Sequence, residues 1–87
     1  MINVDIENQL ISRVAETLMF LKKEPNSNVR KISRDLNIDY NYVSKIIVRC
    51  EEKGLIKTKF ETREKLVSLT EKGIEMASHF DKLKEMI

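Results

Sequence analysis

The sequence predicts a mainly α-helical domain carrying a small β-hairpin, an α+β architecture. Three observations predict it. Apolar residues recur at three- and four-residue spacings through 10–21, 29–36 and 43–50. Directly after Gly54 the period changes to alternation, and after Thr70 it becomes helical again. Only two Gly and one Pro interrupt the 87 residues, so few points allow the chain to turn sharply. This length fits one domain. Such a chain buries only about 60–65% of the surface its unfolded form exposes, so its core is thin.

The first element, within residues 1–23, reads as a helix capped by Asp5 and running to about Lys23. Leu10, Ile11, Val14, Leu18 and Leu21 make its apolar face. Glu24-Pro25-Asn26-Ser27-Asn28 then breaks the chain. Asn28 is placed to cap a short helix from Val29 to about Leu36, with Val29, Ile32 and Leu36 inward. Asn37-Ile38 reads as a tight turn, since Asn tolerates the left-handed conformation that often ends a helix. Asp39 caps the next helix, which runs to about Lys53 with Val43, Ile46, Ile47 and Cys50 inward, and Gly54 ends it. Two short helices joined by a tight turn, residues 28–53, form a helix-turn-helix unit.

Residues 55–70 read as a hairpin. Leu55–Glu61 is one strand and Lys65–Thr70 the other, and Thr62-Arg63-Glu64 is a charged connection. Leu55, Ile56, Phe60, Leu66, Val67 and Leu69 are expected to supply the core. A hairpin directly after a helix-turn-helix unit is a wing. Thr70 caps a last helix, residues 71–87, whose apolar side is Ile74, Ala77, Phe80, Leu83 and Ile87, widened by Met76 and Met86. The predicted fold is a winged helix-turn-helix.

The net charge of +2 is small as a total, but its distribution is uneven. From Val29 to Lys65, ten basic residues stand against six acidic ones, a net +4, while the remainder carries six basic and eight acidic, a net −2. A basic middle between acidic flanks is what a one-sided contact with a polyanion needs. A single Cys, Cys50, forms no internal disulfide and no thiolate metal site by itself, which fits a reducing cytoplasm. The first residues show no signal-peptide pattern, and no apolar run approaches the ~20 residues that span a bilayer. There is no glycine-rich phosphate loop and no Ser–His–Asp or Cys–His set. The lone His79 has no partners at metal spacing. No cofactor, no metal, no membrane and no enzymatic activity are expected.

The run Leu36-Asn37-Ile38-Asp39-Tyr40-Asn41-Tyr42-Val43-Ser44-Lys45, continuing through Arg49 to Glu52-Lys53-Gly54-Leu55-Ile56, closely resembles the recognition-helix stretch of winged-helix regulators. Leu69-Thr70-Glu71-Lys72-Gly73 resembles the segment that follows the wing in MarR-like and related archaeal or viral regulators. The resemblance covers about Asn28 to Gly73. It implies a sequence-specific transcriptional regulator that binds double-stranded DNA.

The residues admit that role. An α-helix fits the major groove, and its N-terminal half reaches base edges. Asn41, Lys45 and Arg49 fall at i, i+4 and i+8, a row able to meet adenine, guanine or phosphate. Tyr40, Tyr42 and Ser44 offer hydroxyls to phosphates; Tyr42 has the alternative of packing partly against the wing or the second helix. In the hairpin, Lys57 and Lys59 share one side, Arg63 sits at the tip and Lys65 starts the return strand. These cations fit a backbone or minor-groove contact, and they also discourage strand-to-strand aggregation. Arg30, Lys31 and Arg34 are candidate backbone clamps, or simply solubilising charges.

Met76, Phe80, Leu83 and Ile87 repeat at four, three and four residues, a seam like that of a coiled coil. Ile2, Val4, Ile6 and Met19 are available from the first helix. A homodimer through the terminal helices is expected, with two recognition helices roughly 34 Å apart; the alternative is that the last helix only closes its own domain. Two other readings stay open: a winged helix used for protein–protein assembly, and a module for RNA or single strands, for which only Tyr40 and Tyr42 are candidate stacking platforms.

Overall fold

The computed structural model describes the backbone of residues 4–87 and the side chains of residues 9–87. The elements are α1 (Val4–Lys23), β1 (Ser27–Asn28), α2 (Val29–Leu36), α3 (Tyr40–Glu52), β2 (Ile56–Glu61), β3 (Glu64–Leu69) and α4 (Glu71–Met86). Among the described residues α1 runs from Val4, so Asp5 lies within the helix rather than capping it. Ile2 and the side chains of Val4 and Ile6, candidates for a dimer contact, lie outside the described residues.

Three caps start three helices where the sequence places them. Asn28 Oδ1 accepts from the Lys31 N–H at 2.7 Å, Asp39 Oδ2 from the Tyr42 N–H at 3.2 Å, and Thr70 Oγ1 from the Gly73 N–H at 3.1 Å. Each bond satisfies an amide that the first helical turn leaves open, worth about 1 kcal/mol. The helix ends are built alike. Asn37 takes φ 54°, its N–H reaches Arg34 O at 3.3 Å, and the Ile38 N–H reaches Ser33 O at 3.0 Å. Gly54 takes φ 75°, its N–H reaches Glu51 O at 3.0 Å, and the Leu55 N–H reaches Cys50 O at 2.9 Å. In this paired arrangement the residue after the left-handed one turns back onto the helix. Ile38 and Leu55 occupy that position, and both are buried. The bonds that stop each helix therefore also drive an apolar side chain into the core.

The sheet has three antiparallel strands in the order β1-β3-β2. The sequence marks residues 24–28 only as a break, but Ser27 pairs with Val67 and Asn28 with Leu66. Two residues are too few to show a period, and the pairing partner is about forty residues away in sequence, so no local pattern announces β1. The hairpin connection is also tighter than expected. Glu61 pairs with Glu64, so Glu64 belongs to β3 and the loop is Thr62-Arg63 alone. Both loop residues have positive φ, 49° and 68°. A two-residue turn that follows the strand twist requires this, and it favours Asn-Gly. A β-branched Thr at positive φ is strained. Thr62→Asn is therefore expected to stabilise the domain by about 0.5–1 kcal/mol, read as a higher urea midpoint, and a lower midpoint would contradict the turn geometry.

The core collects residues from every helix and from β2 and β3. Leu18 and Leu21 of α1 meet Ile32 of α2, Val43, Ile46 and Ile47 of α3, Val67 of β3 and Ala77 of α4. Thr17 is fully buried, and its hydroxyl donates to Arg13 O at 2.8 Å. Apart from the end of α4, four apolar residues expected inside lie outside the core: Leu66, half-buried on the hairpin face that carries Lys59, Ile74, which is 47% exposed, and Ile11 and Phe60. Ile11 is 61% exposed, at the rim of a cleft it shares with Leu10, Val14 and Phe80. Phe60 is 78% exposed. It shares a face with the buried Ile56, but lies four residues further out along β2, beyond the cover of the helices.

Cys50 is 2% exposed on the inner face of α3. Burial pushes its thiol up from 9.0 to about 11. The folded value is the higher one, so this contribution to stability is complete below pH 9 and lost as pH rises towards 11. It amounts to about 2–3 kcal/mol. The urea stability of the native protein relative to Cys50→Ala is expected to fall by that amount across this interval. A flat difference would contradict it.

Candidate nucleic-acid interface

α3 has two faces with different tasks. Val43, Ile46, Ile47 and Cys50 hold it in the core, leaving Tyr40, Asn41, Lys45, Val48 and Arg49 exposed. Asn41, Lys45 and Arg49 climb this outer face in steps of about 6 Å. Ser44, Lys45, Val48, Arg49 and Glu52 line one shallow groove along it. Lys45 and Arg49 are in no ion pair among the described residues. Their charges are thus available to a partner. Val48, 48% exposed between them, is an apolar contact point of the kind a thymine methyl group meets.

Tyr42 does pack against its own domain, but on the α1 side and not against the wing. It packs against the core and lines a small cleft with Gln9, Arg13, Asn37, Ile38 and Asp39, on the α1 side of α3. The two acids at the end of α3 diverge. Glu51 accepts from the Thr58 hydroxyl at 2.8 Å and so ties α3 to β2. Glu52 faces the same groove as Lys45 and Arg49. Its i+7 spacing from Lys45 is the signal that shows this in the sequence.

Of the α2 cations, Arg30 is exposed, Lys31 pairs with Glu24 at 3.1 Å and Arg34 with Asp35 at 3.2 Å. Pairs this exposed contribute little and break at small cost, so they do not bar a phosphate contact.

The hairpin sorts its side chains by parity. Ile56, Thr58 and Phe60 oppose Leu69, Val67 and Lys65, all on the face that Thr58 turns towards α3. Lys57, Lys59 and Glu61 oppose Ser68, Leu66 and Glu64 on the other face. Lys57 and Lys59 therefore point away from α3. They line a groove of about 700 Å³ with Lys22, Pro25, Asn26 and Ile74, and Lys59 pairs with Glu61 at 3.5 Å. The structure brings Arg63 to the exposed tip and Lys65 onto the helix-facing side.

The residues expected at a dimer seam are divided. Met76 and Phe80 are half-buried against the domain's own core. Leu83 at 53%, Met86 at 77% and Ile87 are exposed. Among the described residues, no group of three or more His, Cys, Asp and Glu side chains is placed to hold a metal ion. No helix among them is long and apolar enough to cross a membrane.

Known structures share this arrangement. A mutant form of ZitR from Lactococcus lactis is 35% identical, with a TM-score of 0.79 over 86% of this chain and 53% of its own. AF1382 from Archaeoglobus fulgidus is 25% identical, with a TM-score of 0.80 over 86% of this chain and 87% of its own. MepR, a transcription regulator of the Staphylococcus aureus multidrug efflux pump MepA, is 26% identical, with a TM-score of 0.77 over 85% of this chain and 58% of its own. The chain thus spans little more than half the length of ZitR and MepR. No curated protein sequence matches it. The family model described as winged helix-turn-helix matches residues 6–87, and the chain belongs to that family.

Proposed function

We propose that the chain is a sequence-specific DNA-binding domain of a transcription regulator, with α3 in the major groove of duplex DNA. The row Asn41–Lys45–Arg49 carries this reading, since it is exposed, free of ion pairs among the described residues and fixed on a helix capped at both ends. Asn41 pairs with a base edge, Lys45 and Arg49 with guanine or phosphate, and Tyr40 and Ser44 with phosphate oxygens. Arg63 and Lys65 of the wing contact the backbone or minor groove, and Arg30, Lys31 and Arg34 flank α3 as backbone clamps. Lys57, on the far face of the hairpin, adds to the positive field that steers DNA inward, whereas Lys59 beside it is paired with Glu61. MepR, similar over most of this chain, is a transcription regulator, which supports the assignment.

Two copies pair through the seam of Met76, Phe80, Leu83 and Ile87, whose exposed part is Leu83 and Ile87, and through α1, spacing the two α3 helices to match half-sites about one DNA turn apart. Light scattering at tens of micromolar is expected to give twice the chain mass; a monomer there rules out the pairing.

The test of the function is anisotropy of a labelled random-sequence duplex at rising salt. Binding is expected at low salt, with affinity falling steeply as counterions compete for phosphates. Absence of binding at low salt would overturn the DNA reading and redirect attention to a protein partner for the basic face.

A further inference from the structure

The hairpin extends past the helices, and its outer half is chemically two-sided. On the face away from α3 lie Lys59, Glu61, Glu64 and Leu66. Lys59 and Glu61 neutralise each other, and Glu64 accepts from Asn28 Nδ2 at 3.3 Å. Both acids of the outer hairpin are therefore on this face. On the face towards α3 the outer half holds only Phe60 and its cross-strand partner Lys65, with Arg63 at the adjoining tip. Thr58, two residues inward on the same face, is bonded to Glu51 of α3, which fixes the side to which Phe60 belongs.

An aromatic ring that is 78% exposed buries little of its surface in the fold. It belongs to β2, whereas the exposed Leu83 and Met86 lie in the last turn of α4 and Ile87 follows them. A ring beside two cations, with both hairpin acids on the opposite face and the one acid on its own side, Glu51, occupied by the Thr58 hydroxyl, is complementary to a surface that is apolar and anionic at once. The walls of a DNA groove are such a surface: deoxyribose carbons and base edges between rows of phosphates.

We propose that Phe60 is a DNA-contacting residue of the wing, its ring pressed against sugar or base edges of the groove beside α3 while Lys65 and Arg63 hold the flanking phosphates. This rests on the DNA reading above and adds to it an apolar contact of large area. An apolar contact and an ionic one differ in salt dependence. Releasing counterions gives each phosphate contact a slope of about 0.9 in log affinity against log salt, whereas a ring on a sugar releases none.

The experiment compares native protein, Phe60→Ala, Phe60→Leu and Lys65→Ala on one duplex across a salt series, with thermal melts and light scattering for each. Phe60→Ala is expected to bind about tenfold more weakly at every salt concentration, with an unchanged slope and unchanged melting temperature and mass. Phe60→Leu is expected to recover part of the loss, and Lys65→Ala to lower the slope by about one. Native affinity in Phe60→Ala, while the native protein binds DNA with a steep salt slope, overturns this proposal and leaves the DNA reading intact. A halved mass with unchanged affinity per chain also overturns it, by assigning Phe60 to a contact between copies. Failure of the native protein itself to bind refutes both.

Discussion

Replacing Gly73 by alanine is expected to destabilise the domain by about 3 kcal/mol or more, a drop of roughly 10–20 °C in melting temperature. Helix propensity alone points the other way, since Gly→Ala inside a helix gains about 1 kcal/mol. Packing decides the sign. A Cβ on Gly73 would stand 2.0 Å from the carbonyl oxygen of Leu55, 3.0 Å from its carbon and 3.2 Å from Leu69 Cδ2. The first two are backbone atoms, so no side chain can swing aside, and α4 must lift off the base of the hairpin. Leu55 O is also the acceptor of the Thr70 N–H at 3.0 Å, so that bond goes with it. Gly54 gives the contrast. A Cβ there meets nothing within 4 Å, and only its φ of +75° opposes substitution. Gly54→Ala should cost about 1 kcal/mol. Urea denaturation ranks the two variants, and a Gly73→Ala domain as stable as the native one would mean that α4 does not approach Leu55 this closely.

The second large effect falls on DNA. The Lys45→Ala/Arg49→Ala variant is expected to bind duplex about 100- to 1,000-fold more weakly, at roughly 1–3 kcal/mol for each contact. Its salt slope should fall by about two, because two cations no longer displace counterions. Both side chains are exposed, so circular dichroism and the melting temperature should hold. Native affinity in this variant would move the contact surface off α3. A uniform loss over all sequences would assign both residues to phosphates, whereas a loss confined to the preferred site would assign at least one to a base edge.

Much of the fold was legible in the sequence because its signals are local. Caps at Asn28, Asp39 and Thr70, left-handed ends at Asn37 and Gly54, and two changes of period lie within a few residues of what they specify. The two family-like stretches were legible as strings but not as a unit. In the structure Lys53-Gly54-Leu55 and Leu69-Thr70-Glu71-Lys72-Gly73 form one junction. The Thr70 hydroxyl donates to Gly54 O at 2.6 Å, the Lys72 ammonium to Lys53 O at 3.1 Å, and Gly73 lies against Leu55. These residues close the base of the wing, which explains the composition of both stretches without reference to DNA.

What the sequence did not disclose depends on where elements end in space. Parity places Phe60 with Ile56, but only the reach of the helices tells that one is covered and the other is not. The same holds for Tyr42, which helical spacing leaves on a boundary and the α1 side of the domain claims. β1 was hidden because its pairing with β3 is non-local. Glu52 was readable from its spacing, and its place in the α3 groove tempers the positive field there.

Asn28 occupies a singular position. Its backbone pairs with Leu66 in β3, its Oδ1 caps α2 and its Nδ2 reaches Glu64. One residue thus clamps the sheet edge, starts a helix and steadies the outer hairpin. The hairpin cannot peel away without also fraying α2. Amide hydrogens in β3 and in the first turn of α2 should therefore exchange with solvent through a shared opening event, at matching rates. A single Asn28→Ala change should accelerate exchange in both segments together while leaving α4 unaffected.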